Sequence, residues 1–248
     1  MDYFDVVKGR RMCRNFKPDP IPEGAVEQIL DAARHAPSGA NSQPWEFVVI
    51  TKQETKDKLA EIYVEYGRKS GYVFESTRSA GFRHNMFRKF YPNPPGWRVA
   101  PVIIAVCGDL RTYLGTVASA YYFDGDGGPN ATYLMNVANA THIICQAAHA
   151  LGLGASWVST ERPWERRAKE LLKVPHELTI HEFVPVGYRV SKPPARYRRE
   201  LKEIVHYEEY DQSKFRSDED IVEFVLKLRK KTRPAYSDYF VEEGQQRV

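Results

Sequence analysis

The chain has 248 residues, of which 42% are hydrophobic and 27% are charged, so it is neither disordered nor fibrous and can form one large domain. The formal net charge of +4 is too small for the wide basic face of a nucleic-acid binder, and we expect a local anion site instead. Because no apolar run is long enough to cross a membrane and no secretion signal begins the chain, we expect a cytoplasmic protein.

The first part of the chain predicts two helices, one strand and a long irregular segment. Apolar residues at helical spacing predict a helix that ends near His35, and residues 37–44 predict a loop because they contain two prolines and a glycine. Residues 45–50 predict a strand, and residues 52–66 predict a charged helix. Residues 67–98 mix aromatic, basic and glycine residues without a clear period, and we interpret them as a substrate lid.

The second part predicts the centre of a sheet and a buried helix. The continuous apolar run 100–107 is typical of a strand that is covered on both faces. Residues 131–151 are rich in Ala, Ile and Leu and predict a buried helix, while 155–159 and 182–187 predict two strands separated by a basic helix at 163–172. This alternation indicates α/β or α+β architecture.

The carboxyl-terminal part predicts an amphipathic helix from Asp218 onward, for which the predicted core leaves no partner. We therefore divide the chain into a domain of residues 1–210 and a helical extension of residues 211–248. The extension is expected to dock on a second subunit.

Three polar clusters are candidate ligand sites. Arg10, Arg11 and Arg14 present guanidinium groups suited to phosphate or to an anionic ring edge, although a solvated basic turn has the same composition. The loop 37–45 offers backbone donors and short side chains to a flat ligand, or it simply caps a helix. Residues 192–199 could neutralise a phosphate, or they form a charged linker.

No metal site is predicted. Cys13, Cys107 and Cys145 form no CxxC pair and are interpreted as reduced thiols. His142 and His149 are too far apart along a helix for the usual zinc pair. A run of Asp and Gly at 124–127 resembles the start of a calcium loop but lacks its downstream glutamate.

Five stretches of the chain, which include parts of all three clusters, resemble the nitroreductase superfamily in order and spacing from about Tyr3 to Tyr207. The matching stretches are Arg10-Arg11-Met12-Cys13-Arg14-Asn15-Phe16, Ala36-Pro37-Ser38-Gly39-Ala40-Asn41-Ser42-Gln43-Pro44-Trp45, Gly152-Leu153-Gly154-Ala155-Ser156-Trp157, Val184-Pro185-Val186-Gly187-Tyr188 and Arg198 to His206. The resemblance implies an α+β fold with a central mixed, mainly antiparallel sheet flanked by helices. It also implies an intertwined homodimer with FMN at the subunit interface.

The same resemblance implies roles for individual residues toward FMN. Arg10, Arg11 and Arg14 would contact the phosphate, the ribityl chain and the pyrimidine edge, with Arg14 near N1 and O2. Pro37, Ser38, Gly39 and Asn41 would meet the ring system from the partner subunit. Ser159 and Thr160 would offer an amide or hydroxyl to N5 and O4, and Arg198, then Arg199, would bind the phosphate. Met12 departs from the family, which usually has Ser or Thr there, because a thioether cannot donate a hydrogen bond.

The implied activity is an FMN-dependent oxidoreductase that accepts electrons from NAD(P)H and reduces a small aromatic substrate by a ping-pong mechanism. The cofactor supplies the reactivity, so no side chain is required as a nucleophile. A reductive dehalogenase of the iodotyrosine deiodinase type and a flavin-consuming enzyme of cobalamin-ligand biosynthesis remain alternatives within the fold. A flavin-binding sensor without turnover is an alternative from another functional class.

Overall fold

Five strands form one antiparallel sheet in this computed structural model, which describes residues 2–74, 76, 94–116, 128–160 and 162–232. The strands are β1 (Trp45–Ile50), β2 (Val102–Gly108), β3 (Gly154–Ala155), β4 (Val158–Ser159) and β5 (Thr179–Gly187). Their order is β1, β2, β5, β3, and β4 also pairs with β5. All seven residues of β2 are buried, which explains the continuous apolar run and confirms the predicted central strand.

Helices cover both faces of the sheet. The helices are α1 (Tyr3–Gly9), α2 (Ala25–Arg34), α3 (Gln53–Phe74), α4 (Leu110–Thr116), α5 (Gly128–Ala150), α6 (Arg162–Leu172) and α7 (Asp218–Thr232). Helices α2 and α5 pack on one face through a core that contains Ile29 and Ile144. Helices α3 and α6 cover the other face around Leu59 and Trp164. The α+β class is therefore confirmed. The described strands pair antiparallel, and a parallel contact occurs as an isolated bridge between Met12 and Ala155.

Two predicted elements differ from the structure. Helix α3 continues to Phe74 instead of ending near Tyr66, because a helix that has nucleated gains a hydrogen bond with each added residue even beyond its buried stretch. The first residues of the predicted lid are thus helical, and residues 75 and 77–93 of that lid lie outside the described residues. The calcium-like run at 124–127 also lies outside them.

The second difference concerns the strand predicted at 155–159, which forms two short strands, β3 and β4. Both pair with β5 in one continuous register, with Ala155 opposite Val186 and Ser159 opposite Glu182. The prediction was therefore correct in position, and the strand is interrupted between its two halves.

The chain divides into two units, Met1–Pro193 and Pro194–Val248. The sheet and helices α1 to α6 belong to the first unit. The second contains short 3₁₀ turns at Leu201–Glu203 and Gln212–Lys214, followed by α7. Several large apolar side chains of this unit are exposed: Leu201, Ile204, Tyr207, Tyr210, Phe215 and Val222. Within the described ranges, no helix is both long and apolar enough to cross a membrane.

All three cysteines are buried and free, as their interpretation as reduced thiols requires. Burial raises the pKa of Cys107 to about 12 and that of Cys145 to about 11, and it also raises the pKa of Cys13. Because the thiolate is the reactive form, we expect none of them to react with Ellman's reagent in the native protein near neutral pH. Absorbance at 412 nm should rise only after denaturant is added. Rapid reaction of any thiol in the native protein would contradict this prediction.

Candidate functional site

The arginine-rich segment is hydrogen-bonded to the edge of the sheet. The Cys13 amide donates to the Ala155 carbonyl at 2.9 Å, and the Lys17 amide donates to the Tyr188 carbonyl at 2.9 Å. The segment therefore extends the sheet beyond β3. The arginine-rich segment and the stretch Gly152 to Trp157 that follows α5 are thus brought together in the first unit.

The guanidinium groups in this segment carry uncompensated positive charge. Among the described residues, no carboxylate forms an ion pair with Arg10, Arg11 or Arg14. Arg11 donates from Nη1 to the carbonyls of Lys8 at 2.6 Å and Arg10 at 2.8 Å, which fixes its position at the end of α1. Arg10 and Arg14 keep their donors for a ligand, and an unpaired guanidinium suits a phosphate group.

The charge of Arg10 acts on the last turns of α5. Burial first, and then the cation at Arg10, lower the pKa of His142, and burial with neighbouring cations lowers that of His149. Helix α1 lies close to the same turns, since a Cβ added at Gly9 would come within 2.9 Å of His149 Nε2. Both histidines are therefore neutral near pH 7, which leaves the positive charge of this region on the arginines.

Ser159 and Thr160 are neighbours in sequence but present different groups. The amide of Thr160 donates to the His181 carbonyl at 3.0 Å, and its hydroxyl donates to the carbonyls of Ile180 and His181. Both donors of Thr160 are therefore used inside the sheet. Its side chain lines a groove of about 790 Å³ that also includes Arg166 of α6.

The amide of Ser159 points to the outer edge of the sheet. Thr160 is hydrogen-bonded to its partner in β5, and hydrogen-bonded and non-hydrogen-bonded pairs alternate along an antiparallel ladder. The Ser159 amide therefore points away from β5, to the side on which the carbonyl of Ala155 accepts from Cys13. Ser159 consequently shares an edge with the arginine-rich segment, and of the two predicted residues it is the one that offers a backbone donor there.

The loop 37–43 has a strained backbone. Ala40, Asn41 and Gln43 have φ values of 50°, 53° and 45°, in a region that costs a residue other than glycine roughly 1–3 kcal/mol. The Gln43 amide donates to Ser38 Oγ at 3.1 Å, which closes the loop on itself. Such strain is frequent at ligand sites, where surrounding contacts hold it.

Two asparagines of α5 hold this loop, and sequence reasoning did not identify them. Asn136 Oδ1 accepts from the Gly39 amide at 3.4 Å, and Asn139 Nδ2 donates to the Pro37 carbonyl at 3.3 Å. Asn136 Nδ2 and Ser42 Oγ are buried and have no hydrogen-bond partner in the described chain. The sequence signal that could have identified them is the presence of two asparagines, three residues apart, in an alanine-rich helix.

Arg198 and Arg199 belong to the second unit. Arg198 Nη1 donates to the Tyr197 carbonyl at 2.9 Å, and Arg199 Nη2 donates to the Glu203 carbonyl at 2.6 Å. Arg198 is exposed and Arg199 is partly buried. Glu200 and Glu203 bond each other's backbone in a capping box, which orders the turn that follows both arginines.

Comparison with known proteins shows the family of the chain. The model of the Nitroreductase family matches residues 7–188. A putative NADH dehydrogenase/NAD(P)H nitroreductase of Methanothermobacter thermautotrophicus is 27% identical over 79% of this chain and 82% of its own length. An iodotyrosine deiodinase of Thermotoga neapolitana is also 27% identical, over 82% and 96% respectively.

A solved structure has the same fold. The crystal structure of a BluB-like flavoprotein from Clostridium difficile superposes with a TM-score of 0.70 at 20% identity, over 84% of this chain and 100% of that one. The family match over most of the chain, together with the named relatives, identifies the chain as an oxidoreductase of the Nitroreductase family.

Proposed function

We propose that this chain is an FMN-dependent oxidoreductase that takes electrons from NAD(P)H and reduces a small aromatic substrate, such as a nitro compound or a quinone. The observation that carries the proposal is the position of Arg10 and Arg14. Their guanidinium groups have no carboxylate partner in the described chain, and the Cys13 amide between them is bonded to the sheet edge at Ala155.

The residues of this chain fit FMN by their donor chemistry. The unpaired guanidinium groups suit the phosphate and the electron-rich pyrimidine edge of the ring, and the outward amide of Ser159 suits a ring acceptor. The strained loop 37–43 contributes Pro37, Ser38 and Gly39. Two buried polar atoms without partners, Ser42 Oγ of the loop and Asn136 Nδ2 of α5, leave hydrogen-bonding capacity there. Asn41 orients the loop, and Arg198 and Arg199 are further phosphate ligands.

When bound, FMN supplies hydride and electron transfer. The chain supports this chemistry by fixing the cofactor, by placing positive charge beside N1, and by excluding water with residues 67–98 as a lid. The nicotinamide nucleotide and the oxidant occupy one site in turn, which is a ping-pong scheme. The protein acts in the cytoplasm and needs neither a metal nor a nucleic acid.

A homodimer is part of the proposal. In the first unit, Tyr3, Phe4 and Met135 are 64%, 65% and 61% exposed, although large apolar side chains are normally covered. In the second unit, which we regard as carrying the helical extension 211–248, Tyr207 and Phe215 are 85% and 69% exposed. We assign both surfaces to contact with a second copy of the chain, whose loop 37–43 completes the cofactor site.

The visible spectrum of the purified protein under nitrogen, before and after addition of NADPH or NADH, tests this function. Flavin bands that bleach are the expected result. Bound FMN that does not bleach with either nucleotide would favour a sensor without turnover, for which the exposed Met12 in place of a hydroxyl residue is the supporting feature. Absence of flavin after reconstitution would overturn the proposal.

Reductive dehalogenation of halogenated phenols or tyrosines is the second candidate. The loop Ala36-Pro37-Ser38-Gly39-Ala40 is especially similar to that subgroup, and a relative of comparable identity is named as an iodotyrosine deiodinase. Release of iodide from 3-iodotyrosine by the reduced protein, at a rate above that of nitroaromatic reduction, would favour this candidate. No iodide release under conditions where a nitro compound is reduced would exclude it.

A further inference from the structure

A β-bulge in β5 turns two adjacent ionisable side chains toward the same helix. The register between β2 and β5 shifts at this point, where Glu182 pairs with Val106 and Ile180 pairs with Cys107. His181 is therefore the extra residue of the bulge. In a regular strand His181 and Glu182 would point to opposite faces, whereas here both bond residues of α5.

The carboxyl group of Glu182 has two neutral hydrogen-bond donors. The hydroxyl of Thr141 in α5 lies 3.3 Å from Glu182 Oε2, and the indole N–H of Trp157 also donates to the carboxyl group. No cation pairs with it among the described residues. Burial outweighs the two donors and raises the pKa of Glu182 to about 7.

The ionisable groups around Glu182 are neutral near pH 7. Burial is the main cause that raises the pKa of Tyr133 and of Cys145, which both belong to α5, and the negative charge of Glu182 acts in the same direction on both. Burial lowers the pKa of His181, whose Nε2 lies 2.8 Å from the Tyr133 hydroxyl. The cation at Arg10 acts in the opposite direction, since it lowers the pKa of Cys145. Glu182 is thus the group of this cluster that changes charge at neutral pH.

Glu182 lies directly across the ladder from Ser159. This is a non-hydrogen-bonded pair, in which the two side chains lie on the same face with Cβ atoms about 5 Å apart. Trp157, two residues before Ser159, is on that face as well. The partly buried carboxyl group therefore lies on the strand next to Ser159, the residue that the proposed function puts beside the reactive edge of the flavin.

We propose that Glu182 stores the proton that accompanies the transferred hydride. The inference rests on the proposed function. Its carboxylate takes up a proton from solvent while NAD(P)H gives up a hydride and leaves as NAD(P)⁺. Its carboxylic acid returns the proton, through the hydroxyl of Ser159, when the hydride passes to the oxidised substrate. NAD(P)H, one proton and the substrate thus become NAD(P)⁺ and the substrate with two more hydrogens.

The driving force is electrostatic. Hydride uptake adds one negative charge to the site, and a nearby negative charge increases the proton affinity of a carboxylate. Because Glu182 is close to half ionised at neutral pH, a modest increase is enough to protonate it. A carboxyl group that had an ordinary pKa, or that was paired with a cation, would stay ionised in both redox states.

The test is the pH dependence of the reduction potential of bound FMN in the wild type and in Glu182→Gln. The glutamine keeps an oxygen that accepts from Thr141 and Trp157, so we expect it to fold. Between about pH 7 and the higher pKa that Glu182 has in the reduced state, the wild type should take up as much as one proton more per two electrons than the variant. The reduced-minus-oxidised infrared spectrum of the wild type should contain a protonated-carboxyl band that Glu182→Gln lacks.

Glu165→Gln is the matched control. Glu165 is also a partly buried glutamate beside β5, where its carboxyl accepts from the Ile180 amide at 3.2 Å, but it belongs to α6 on the opposite face. The Glu165→Gln variant should take up the same number of protons per two electrons as the wild type. Thr141→Val removes a donor that favours the carboxylate, so it should move the extra proton uptake to higher pH.

Stability of the flavin-free protein provides a second readout. Because the native pKa of Glu182 lies above the ordinary carboxyl value, the folded state binds more protons than the unfolded chain between the two values, and stability falls as pH rises through about 7. The urea midpoint of the wild type should therefore fall relative to that of Glu182→Gln between about pH 5 and pH 8.

The outcomes separate this inference from the proposed function. If wild type and Glu182→Gln both bind FMN that NAD(P)H bleaches, and both take up the same number of protons, the proton-store role is overturned while the proposed function stands. The proton-store role is also overturned if the urea midpoints of wild type and Glu182→Gln differ as expected but the reduction potentials of their bound FMN have the same pH dependence. A wild type that binds no flavin overturns both.

Discussion

Replacing Arg10 and Arg14 together by glutamine is expected to weaken FMN binding by about a hundredfold or more. A hydrogen bond to a charged group contributes about 1.5–3 kcal/mol, and about 1.4 kcal/mol corresponds to a factor of ten in affinity. Because neither arginine has a carboxylate partner in the described chain, their removal exposes no unpaired acid, and the loss should be one of binding rather than of folding. Fluorescence titration of the apoprotein with FMN measures the effect.

Riboflavin makes this experiment specific, because it lacks the phosphate. If Arg10 binds the phosphate, the double variant should lose part of the preference for FMN over riboflavin, whereas the loss of Arg14 from the pyrimidine edge should weaken the binding of both flavins alike. Arg34→Gln is the matched control, since Arg34 is exposed and paired with Asp31 at 2.6 Å, and it should bind FMN like the wild type. An unchanged dissociation constant in the double variant would contradict the assignment of the site.

Trp164→Ala is expected to cost about 3–5 kcal/mol of unfolding free energy. Trp164 is 2% exposed and belongs to α6, where it packs against both β5 and α3. Its ring stacks on Phe183 of β5 with centroids 5.1 Å apart, and it meets the edge of Tyr63 of α3 at 5.8 Å. Alanine would leave a cavity between α6, α3 and β5 that the surrounding helices and strand can close only in part.

Urea unfolding followed by circular dichroism measures this loss, at one fixed protein concentration because association shifts apparent stability. Trp164→Phe should cost less, since it keeps a ring against Phe183. Val73→Ala is the control, because Val73 is 66% exposed and such a change usually stays within about 0.5 kcal/mol. A Trp164→Ala midpoint equal to that of the control would show that this side of the core is loosely packed.

The elements that the sequence predicted well are those whose burial follows a simple period. Strand β2 is buried on both faces and has an unbroken apolar run, and β1 begins and ends where predicted. Helix α6 was located by its basic and apolar alternation. In each case the local pattern and the final environment agree, so the sequence was sufficient.

Other features depend on partners far away in the chain. From the sequence, Lys56 is expected to be a surface lysine, but it is 3% exposed and its ammonium group donates to the Ala100 carbonyl at 2.6 Å. Asn136 and Asn139 interrupt an apolar helix for a reason that appears only when the loop 37–43 lies against it. Glu182 precedes an apolar run in β5, and no local pattern predicts the bulge that turns its side chain toward α5.

By itself, the sequence determined the family, the succession of helices and strands, and the residue types suited to an anionic flavin, because these depend on composition and on spacing along the chain. Only the tertiary structure decided that the arginine segment lies beside β3, that Ser159 rather than Thr160 keeps an outward amide, and that a partly buried glutamate lies opposite Ser159. The physical reason is that hydrogen-bond direction, burial and pKa are set by neighbours in space, and residues distant in the chain supply most of them.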